Sequence, residues 1–69
     1  MTTYAVVLER TDNNYAAYVP DLPGCVATGR TRTVVERRIR EAIELHLDGM
    51  REDGEIPPRP TTSVATVEL

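Results

Sequence analysis

The sequence contains few of the residues that usually stabilise very small domains. It has one cysteine, one histidine, no tryptophan and no phenylalanine. A single cysteine cannot form a disulfide within the chain, and one cysteine with one histidine cannot complete a structural zinc site. A chain of 69 residues buries only about 60% of the surface that its unfolded form exposes. Association with further chains is the remaining common support, and we expect it here.

Long apolar runs and lysine are also missing. No stretch approaches the roughly 18 apolar residues that a membrane span requires, and the amino terminus lacks the basic start of a secretory leader. We therefore expect a cytoplasmic protein. Eight arginines supply all the basic side chains, and eleven acidic residues give a net charge of −3. This balance disfavours nonspecific nucleic-acid binding and favours a basic protein partner.

Alternating β-branched and aromatic residues predict two strands in the first part of the chain. They cover residues 3–9 and 15–19, and a turn of aspartate and asparagine joins them. A segment with two prolines follows, and residues 25–28, between Gly24 and Gly29, form a third predicted strand. The two glycines permit bends or close approaches that a side chain would block.

The clearest predicted element is an amphipathic helix. Its start is open between Thr31 as N-cap and a capping box of Thr33 with Glu36, and Gly54 ends it. The apolar stripe recurs at steps of three and four residues and consists of Val35, Ile39, Ala42, Ile43, His46, Leu47 and Met50. Residues 56–60 predict an extended connector, because they contain three prolines. Residues 63–69 alternate again and predict a fourth strand.

The element order predicts one domain, 1–69, of the α+β class. In the order β-β-β-α-β, a right-handed crossover through the helix sets the last strand parallel to the first. We therefore expect a single four-stranded mixed sheet with one helix on one face.

The first two predicted strands are apolar on both sides, whereas one helix covers only one side of a sheet. A bare apolar sheet face is an association site. We expect it to be buried in a homodimer or homotetramer, with the interface formed by Ala5, Val7, Ala16 and Tyr18. The alternative is that these alanines and tyrosines simply lie at the surface.

No arrangement of residues predicts a reaction, a cofactor or a metal site. The centre of the first strand holds Val6 and Val7 where a metal-dependent nuclease needs carboxylates. His46 lies beside the apolar stripe and indicates a packing role, and Cys25 indicates a small buried side chain. The basic cluster of Arg37, Arg38 and Arg40 is interspersed with glutamates, which is typical of a solvated helix face rather than a phosphate site. We therefore expect no enzyme.

Three segments together resemble the HicB family of antitoxins. They are YAAYVPDLPGC at 15–25, REAIELHL at 40–47 and IPP at 56–58. The resemblance implies a partial RNase H-like fold without catalytic acids, which neutralises a small basic mRNA-cleaving HicA-type toxin by binding it. Arg30 and Val34 depart from the family pattern and make the helix entrance more basic. Because these 69 residues contain no further DNA-binding domain, the prediction is a short form without direct DNA binding.

The proline-rich segment around PDLPG is the most specific part of this resemblance. Its prolines restrict the unfolded chain and its glycine permits a bend, so turn structure alone explains its composition. The other interpretation is that a partner protein recognises the shape of this segment. The candidate contact residues are then Pro20, Asp21, Leu22, Pro23 and Gly24. The leading functional hypothesis is an antitoxin-like binding protein. The alternative is a stand-alone oligomeric regulatory or ligand-binding protein of the same fold, without a toxin partner.

Overall fold

Three strands and one helix make up the regular structure of the residues that the structure describes. The computed structural model describes residues 2–69, and Met1 of the predicted domain 1–69 lies outside the described residues. The elements are β1 (Val7–Arg10), β2 (Tyr15–Tyr18), β3 (Val26–Gly29) and α1 (Arg32–Glu52). Strand β2 lies between β1 and β3 and pairs antiparallel with both. The prediction of an α+β layer with one helix is confirmed.

Strand β1 begins at Val7 rather than at residue 3. Val7 pairs with Tyr18, so the same register places Ala5 opposite Pro20. Proline has no N–H to donate to a ladder, and regular pairing therefore stops where β2 gives way to Pro20. Strands β2 and β3 match their predicted ranges to within one residue.

Helix α1 begins at the first of the two predicted caps. The Thr31 side chain accepts a hydrogen bond from the Val34 N–H at 3.1 Å. A capping box has glutamate or glutamine at the position of Val34. The valine side chain cannot accept a hydrogen bond from the backbone N–H of Thr31, so only half of the capping box is present. The capping box of Thr33 with Glu36 is wrong, because Glu36 lies within the helix and accepts a bond from Arg32 Nε at 2.7 Å.

Gly54 ends the helix as predicted, in a left-handed conformation with φ of +76°. Its N–H donates to the Arg51 carbonyl at 3.0 Å, and the Glu55 N–H donates to the Met50 carbonyl at 2.8 Å. These two bonds form a Schellman motif, which satisfies carbonyls that the helix end leaves free. Within residues 2–69, no helix combines the length and apolar character needed to cross a membrane.

The hydrophobic core lies between α1 and one face of the sheet, called here the inner face. Its buried side chains are Ala17, Val19, Leu22, Cys25, Val35 and Ile39. Val35 and Ile39 belong to the predicted apolar stripe, and the rest of that stripe is half-buried. The helix packs over β3 and β2 rather than over β1. The inner face of β1 is therefore only partly covered.

Gly29 is the point of closest approach between the sheet and the helix. A Cβ atom at this position would lie 2.8 Å from the Val35 nitrogen and 3.1 Å from the Val35 Cα. Both atoms belong to the backbone of the first helical turn and cannot move without shifting α1. The prediction that glycine permits a close approach here is confirmed.

The fourth strand predicted over residues 63–69 is wrong for the single chain. Within residues 2–69 the segment after α1 has no regular structure. The Tyr4 hydroxyl donates to the Pro58 carbonyl, and the Asp21 carboxylate then binds Thr61 and Thr62. The sheet consequently remains antiparallel and three-stranded.

The chain is less compact than most chains of its length. Its Cα radius of gyration is 13.1 Å, whereas a compact chain of this length has a radius of about 11 Å. The extended segment after α1 accounts for the difference.

Substitution Gly29→Ala tests the close approach at the start of the helix. We expect it to lower the free energy of unfolding by about 1–3 kcal/mol, because the added methyl meets backbone. Gly49→Ala is the matched control, since nothing lies within 4 Å of the added atom and alanine stabilises a helix interior by about 0.5–1 kcal/mol. Urea denaturation measures both. Equal stability of the two variants would contradict this account of the packing.

Candidate partner-binding surface

Residues 19–25, called here the hinge, connect β2 to β3 through two successive tight turns. The Leu22 N–H donates to the Val19 carbonyl at 3.0 Å, and the Cys25 N–H donates to the Leu22 carbonyl at 3.0 Å. Each turn carries a proline at its second position, where the fixed φ of proline suits the turn. The Val19 N–H closes the hinge with a bond of 3.2 Å to the Cys25 carbonyl. The hinge is therefore an ordered connection between the two strands.

Gly24 gives the second turn its form. Its φ is +84°, and it follows Pro23, which is the sequence of a type II turn. No other atom approaches the position of a Cβ at Gly24 within 4 Å. Glycine is required here by the backbone conformation, and not by crowding as at Gly29.

The five candidate contacts of the hinge lie in different environments. Pro20, Pro23 and Gly24 are exposed, whereas Leu22 is only 1% exposed and packs in the core. Leu22 joins the two turns and fixes the hinge to the body of the protein. The surface that the hinge presents to a partner consists of the two proline rings and Gly24.

Asp21 holds the C-terminal segment against the hinge. Its carboxylate accepts bonds from the backbone N–H groups of Thr61 and Thr62, both at 3.0 Å. It also accepts bonds from the hydroxyl of Thr61 at 3.0 Å and that of Thr62 at 2.7 Å. The bonds from Thr62, and then those from Thr61, lower the pKa of Asp21 from 3.8 to about 2. Nothing in the local sequence marks this contact, because 40 residues separate Asp21 from Thr61.

The four interface candidates lie on or beside the outer face of the sheet, opposite the helix. The pairs Val7 with Tyr18 and Tyr18 with Val26 form one apolar row across the three strands. Tyr18 is 40% exposed and Val26 is 64% exposed. Ala5, just before β1, and Ala16 are half-buried. Sequence reasoning missed Val26, although it alternates with the inward-facing Ala27.

A groove of about 690 Å³ lies between β1 and α1. Tyr4, Val6 and Leu8 form its wall on the β1 side, and Ile39, Ile43 and Leu47 form the wall on the helix side. Charged helix residues line its rim. This space, called here the β1–α1 groove, exists because α1 leans over β2 and β3.

Charge is distributed unevenly along α1 and its flanks. The N-terminal half carries the basic side chains of Arg30, Arg32, Arg37, Arg38 and Arg40, together with Glu36. Glu41 also lies in this half. The C-terminal half and the residues just after it carry the acidic side chains of Glu44, Asp48, Glu52, Asp53 and Glu55, together with Arg51. The start of the helix opposes the helix dipole, which favours acidic residues there, whereas the last turn carries Arg51, which the dipole favours, beside the acidic Glu52. Arg38 also donates to the Thr28 carbonyl at 3.1 Å, so one member of the basic cluster is bound to the chain's own backbone.

The chemistry of these surfaces suits binding. Cys25 is 4% exposed, as predicted, and burial raises the pKa of its thiol, which disfavours the nucleophilic thiolate. His46 is half-buried on the apolar stripe. Within residues 2–69, no group of three or more histidine, cysteine, aspartate or glutamate side chains is placed to hold a metal ion. The features that remain are the rigid hinge, the outer sheet face and the β1–α1 groove.

Comparison with known proteins assigns a family to this arrangement. A family model described as the HicB-like antitoxin of a bacterial toxin-antitoxin system matches residues 4–68. A UPF0150 protein of Helicobacter pylori is 45% identical over 47 residues, which cover 68% of this chain and 65% of that protein. A UPF0150 protein of Thermoplasma acidophilum is 32% identical over 65 residues, which cover 93% of this chain and 94% of that protein.

A longer relative is found in a bacteriophage. An uncharacterized 14.9 kDa protein of Haemophilus phage HP1, from the rep-hol intergenic region, is 38% identical over 56 residues. The match covers 81% of this chain and 42% of the phage protein. The chain therefore spans less than half the length of the phage relative and less than two thirds of the Helicobacter pylori one.

Acidification tests the bonds between Asp21 and the two threonines. The pKa of Asp21 is lower in the folded chain than in the unfolded chain. The bonds to its carboxylate therefore stabilise the folded state fully above about pH 4, and this stabilisation disappears as the carboxylate is protonated towards pH 2. We expect the protection factors of the Thr61 and Thr62 amides, which compare the observed exchange with the intrinsic rate at each pH, to fall over this range. In Asp21→Asn, the Thr61 and Thr62 amides should be less protected at neutral pH, and their protection should no longer depend on pH. Asp12→Asn, in the exposed turn between β1 and β2, is the control and should leave these amides as they are in the unsubstituted chain. Slow exchange in Asp21→Asn would contradict the assignment.

Proposed function

The chain belongs to the HicB-like antitoxin family, and from this membership we propose that it neutralises a small mRNA-cleaving HicA-type toxin by binding it directly. The observation that carries the proposal is the family match over residues 4–68, which includes the whole sheet, the hinge and the helix. The chain acts by occupancy and catalyses no reaction of its own. Its three strands and helix represent part of an RNase H-like fold.

The hinge is the proposed contact with the toxin. Pro20, Pro23 and Gly24 project from a segment that two turns hold in one conformation. A surface that is ordered before binding loses little conformational entropy when the complex forms. Asp21 and Leu22 belong to the same site and fix its shape, Leu22 from the core and Asp21 through the two threonines.

Electrostatics support a basic partner. The net charge is −3, and five of the eleven acidic residues are exposed in the C-terminal half of α1 and the three residues after it. Acidic side chains near the end of a helix gain nothing from its dipole, which favours basic residues there. Complementary charge accelerates association and favours the correct partner.

We also propose that the outer sheet face binds a second copy of the chain. Ala5, Val7, Ala16 and Tyr18 lie on or beside this face, and the row through Val7, Tyr18 and Val26 continues it to β3. The helix occupies the opposite face, so the rest of the chain leaves this row uncovered. A homodimer results from this contact alone, and a homotetramer results if another surface also pairs.

Substitution at the hinge tests the proposed toxin contact. The chain is co-expressed with a HicA-type toxin, taken from a short basic reading frame next to its gene where one is found, and growth rescue and co-purification are measured. Pro23→Ala should weaken the complex about tenfold, the effect of losing one interface anchor of about 1.4 kcal/mol. Pro60→Ala, an exposed proline of the connector, is the matched control and should bind normally.

The same experiment has an outcome that contradicts the proposal. If the folded chain neither binds the neighbouring product nor rescues growth, the toxin is not its partner. An oligomer that persists under those conditions would indicate the stand-alone regulatory protein instead. Thermal unfolding of both proline variants separates a lost contact from a lost fold.

Substitution Tyr18→Asp tests the outer face. A charge buried in an apolar interface is costly, so we expect the dissociation constant of this contact to rise more than about tenfold in sedimentation experiments. Leu45→Asp is the control, because Leu45 is an exposed apolar residue of the helix, away from the sheet. An equal loss of association in both variants would contradict the placement of the interface.

A further inference from the structure

Two elements of the chain lack a partner, and their patterns fit one another. The first is β1, which pairs with β2 on one side and, within residues 2–69, with no strand on the other. The second is the tail, residues 63–69. Val64 and Val67 of the tail are 71% and 79% exposed. An open strand edge and a free strand-forming segment are the two components of strand addition.

The β1–α1 groove lies directly beside the open edge. A strand that paired with β1 would turn every second side chain inward, towards the apolar walls formed by the β1 residues and by Ile39, Ile43 and Leu47. Those walls are covered only in part by the chain itself, since α1 packs over β2 and β3. An extended segment with one apolar face would therefore fit the groove.

The tail has such a face. Ala65, Val67 and Leu69 alternate along one side, and Val64, Thr66 and Glu68 occupy the other. In an added strand the first set enters the groove, and the second set, which contains the charge, remains on the outer side. The β-branched residues of the tail also favour the extended conformation.

The contacts of Asp21 direct the tail away from its own open edge. Tyr4 binds the Pro58 carbonyl beside the start of β1, and Asp21 binds Thr61 and Thr62 at the end of β2. The connector thus crosses from β1 to β2 before the tail begins. To pair with β1 of the same chain, the tail would have to return past β1 to its open edge from a residue that two hydrogen bonds hold at the end of β2.

We propose that residues 63–69 of one chain add as a strand to the β1 edge of a second copy, with Ala65, Val67 and Leu69 in its β1–α1 groove. The exchange is reciprocal and produces a closed dimer. Each copy gains a four-stranded sheet whose fourth strand comes from its partner. This association differs from contact through the outer face and requires no toxin.

Paired substitutions on the two faces of the tail test the exchange. Val67→Asp places a charge in the groove, and Thr66→Asp places the same charge on the outer side. We expect sedimentation at micromolar concentration to show that Val67→Asp halves the mass of the assembly and that Thr66→Asp leaves it unchanged. Both substitutions lie in the exposed tail, so circular dichroism should show an unchanged fold.

A mixing experiment shows whether the tail acts on another copy. Ile43→Glu blocks the groove and leaves the tail intact, whereas Val67→Asp blocks the tail and leaves the groove intact. A tagged Val67→Asp chain should capture the Ile43→Glu chain, because one intact tail and one intact groove then meet. All chains in this experiment also carry Tyr18→Asp, which removes the proposed outer-face contact, so the tagged chain should not capture untagged Val67→Asp. If Ile43→Glu does not fold, Leu47→Glu blocks the same groove.

Three results would overturn the proposal. They are a Val67→Asp assembly with the mass of the unsubstituted chain, an unsubstituted chain that sediments as a monomer, and folded tail and groove variants that do not bind one another. None of these results depends on whether the chain binds a toxin, so a failed exchange is distinguishable from a failed antitoxin proposal.

Discussion

The single helix of this protein packs over β3 and β2 and leaves β1 only partly covered, and the surfaces of the protein depend on that placement. Helix α1 approaches β3 so closely at Gly29 that a single methyl group would collide with its backbone. This contact draws the helix towards β3 and β2 and away from β1. The outer face, the β1 edge and the β1–α1 groove are left uncovered as a result. In a chain of 69 residues, such surfaces are large relative to the core.

The contact of Asp21 with Thr61 and Thr62 connects the two ends of the fold. It fixes the hinge, where the proposed toxin contact lies, and it also decides where the tail leaves the body. One carboxylate thereby influences both proposed associations, with a toxin and with a second copy. Its pKa of about 2 keeps it ionised throughout the physiological range.

The parts of the fold that local sequence determines were predictable. Thr31 and Gly54 end the helix through bonds to their immediate neighbours, and the two prolines and Gly24 form turns within a few residues. The fourth strand was not predictable in the same way. Alternation in residues 63–69 shows that the segment can form a strand, but its position depends on the bonds between Asp21 and residues 40 positions away. The burial of Leu22 was missed for a similar reason, because no periodicity marks one apolar residue between two turns.

The family match assigns the chain to the HicB-like antitoxins, the structure leaves apolar side chains exposed, and our central proposal is that another polypeptide covers them. Sedimentation of the unsubstituted chain at micromolar concentration, without any partner protein, tests this claim most directly. The account predicts an assembly of at least twice the 7.7 kDa mass of one chain. A folded monomer with Tyr18 and the tail exposed to solvent would contradict it.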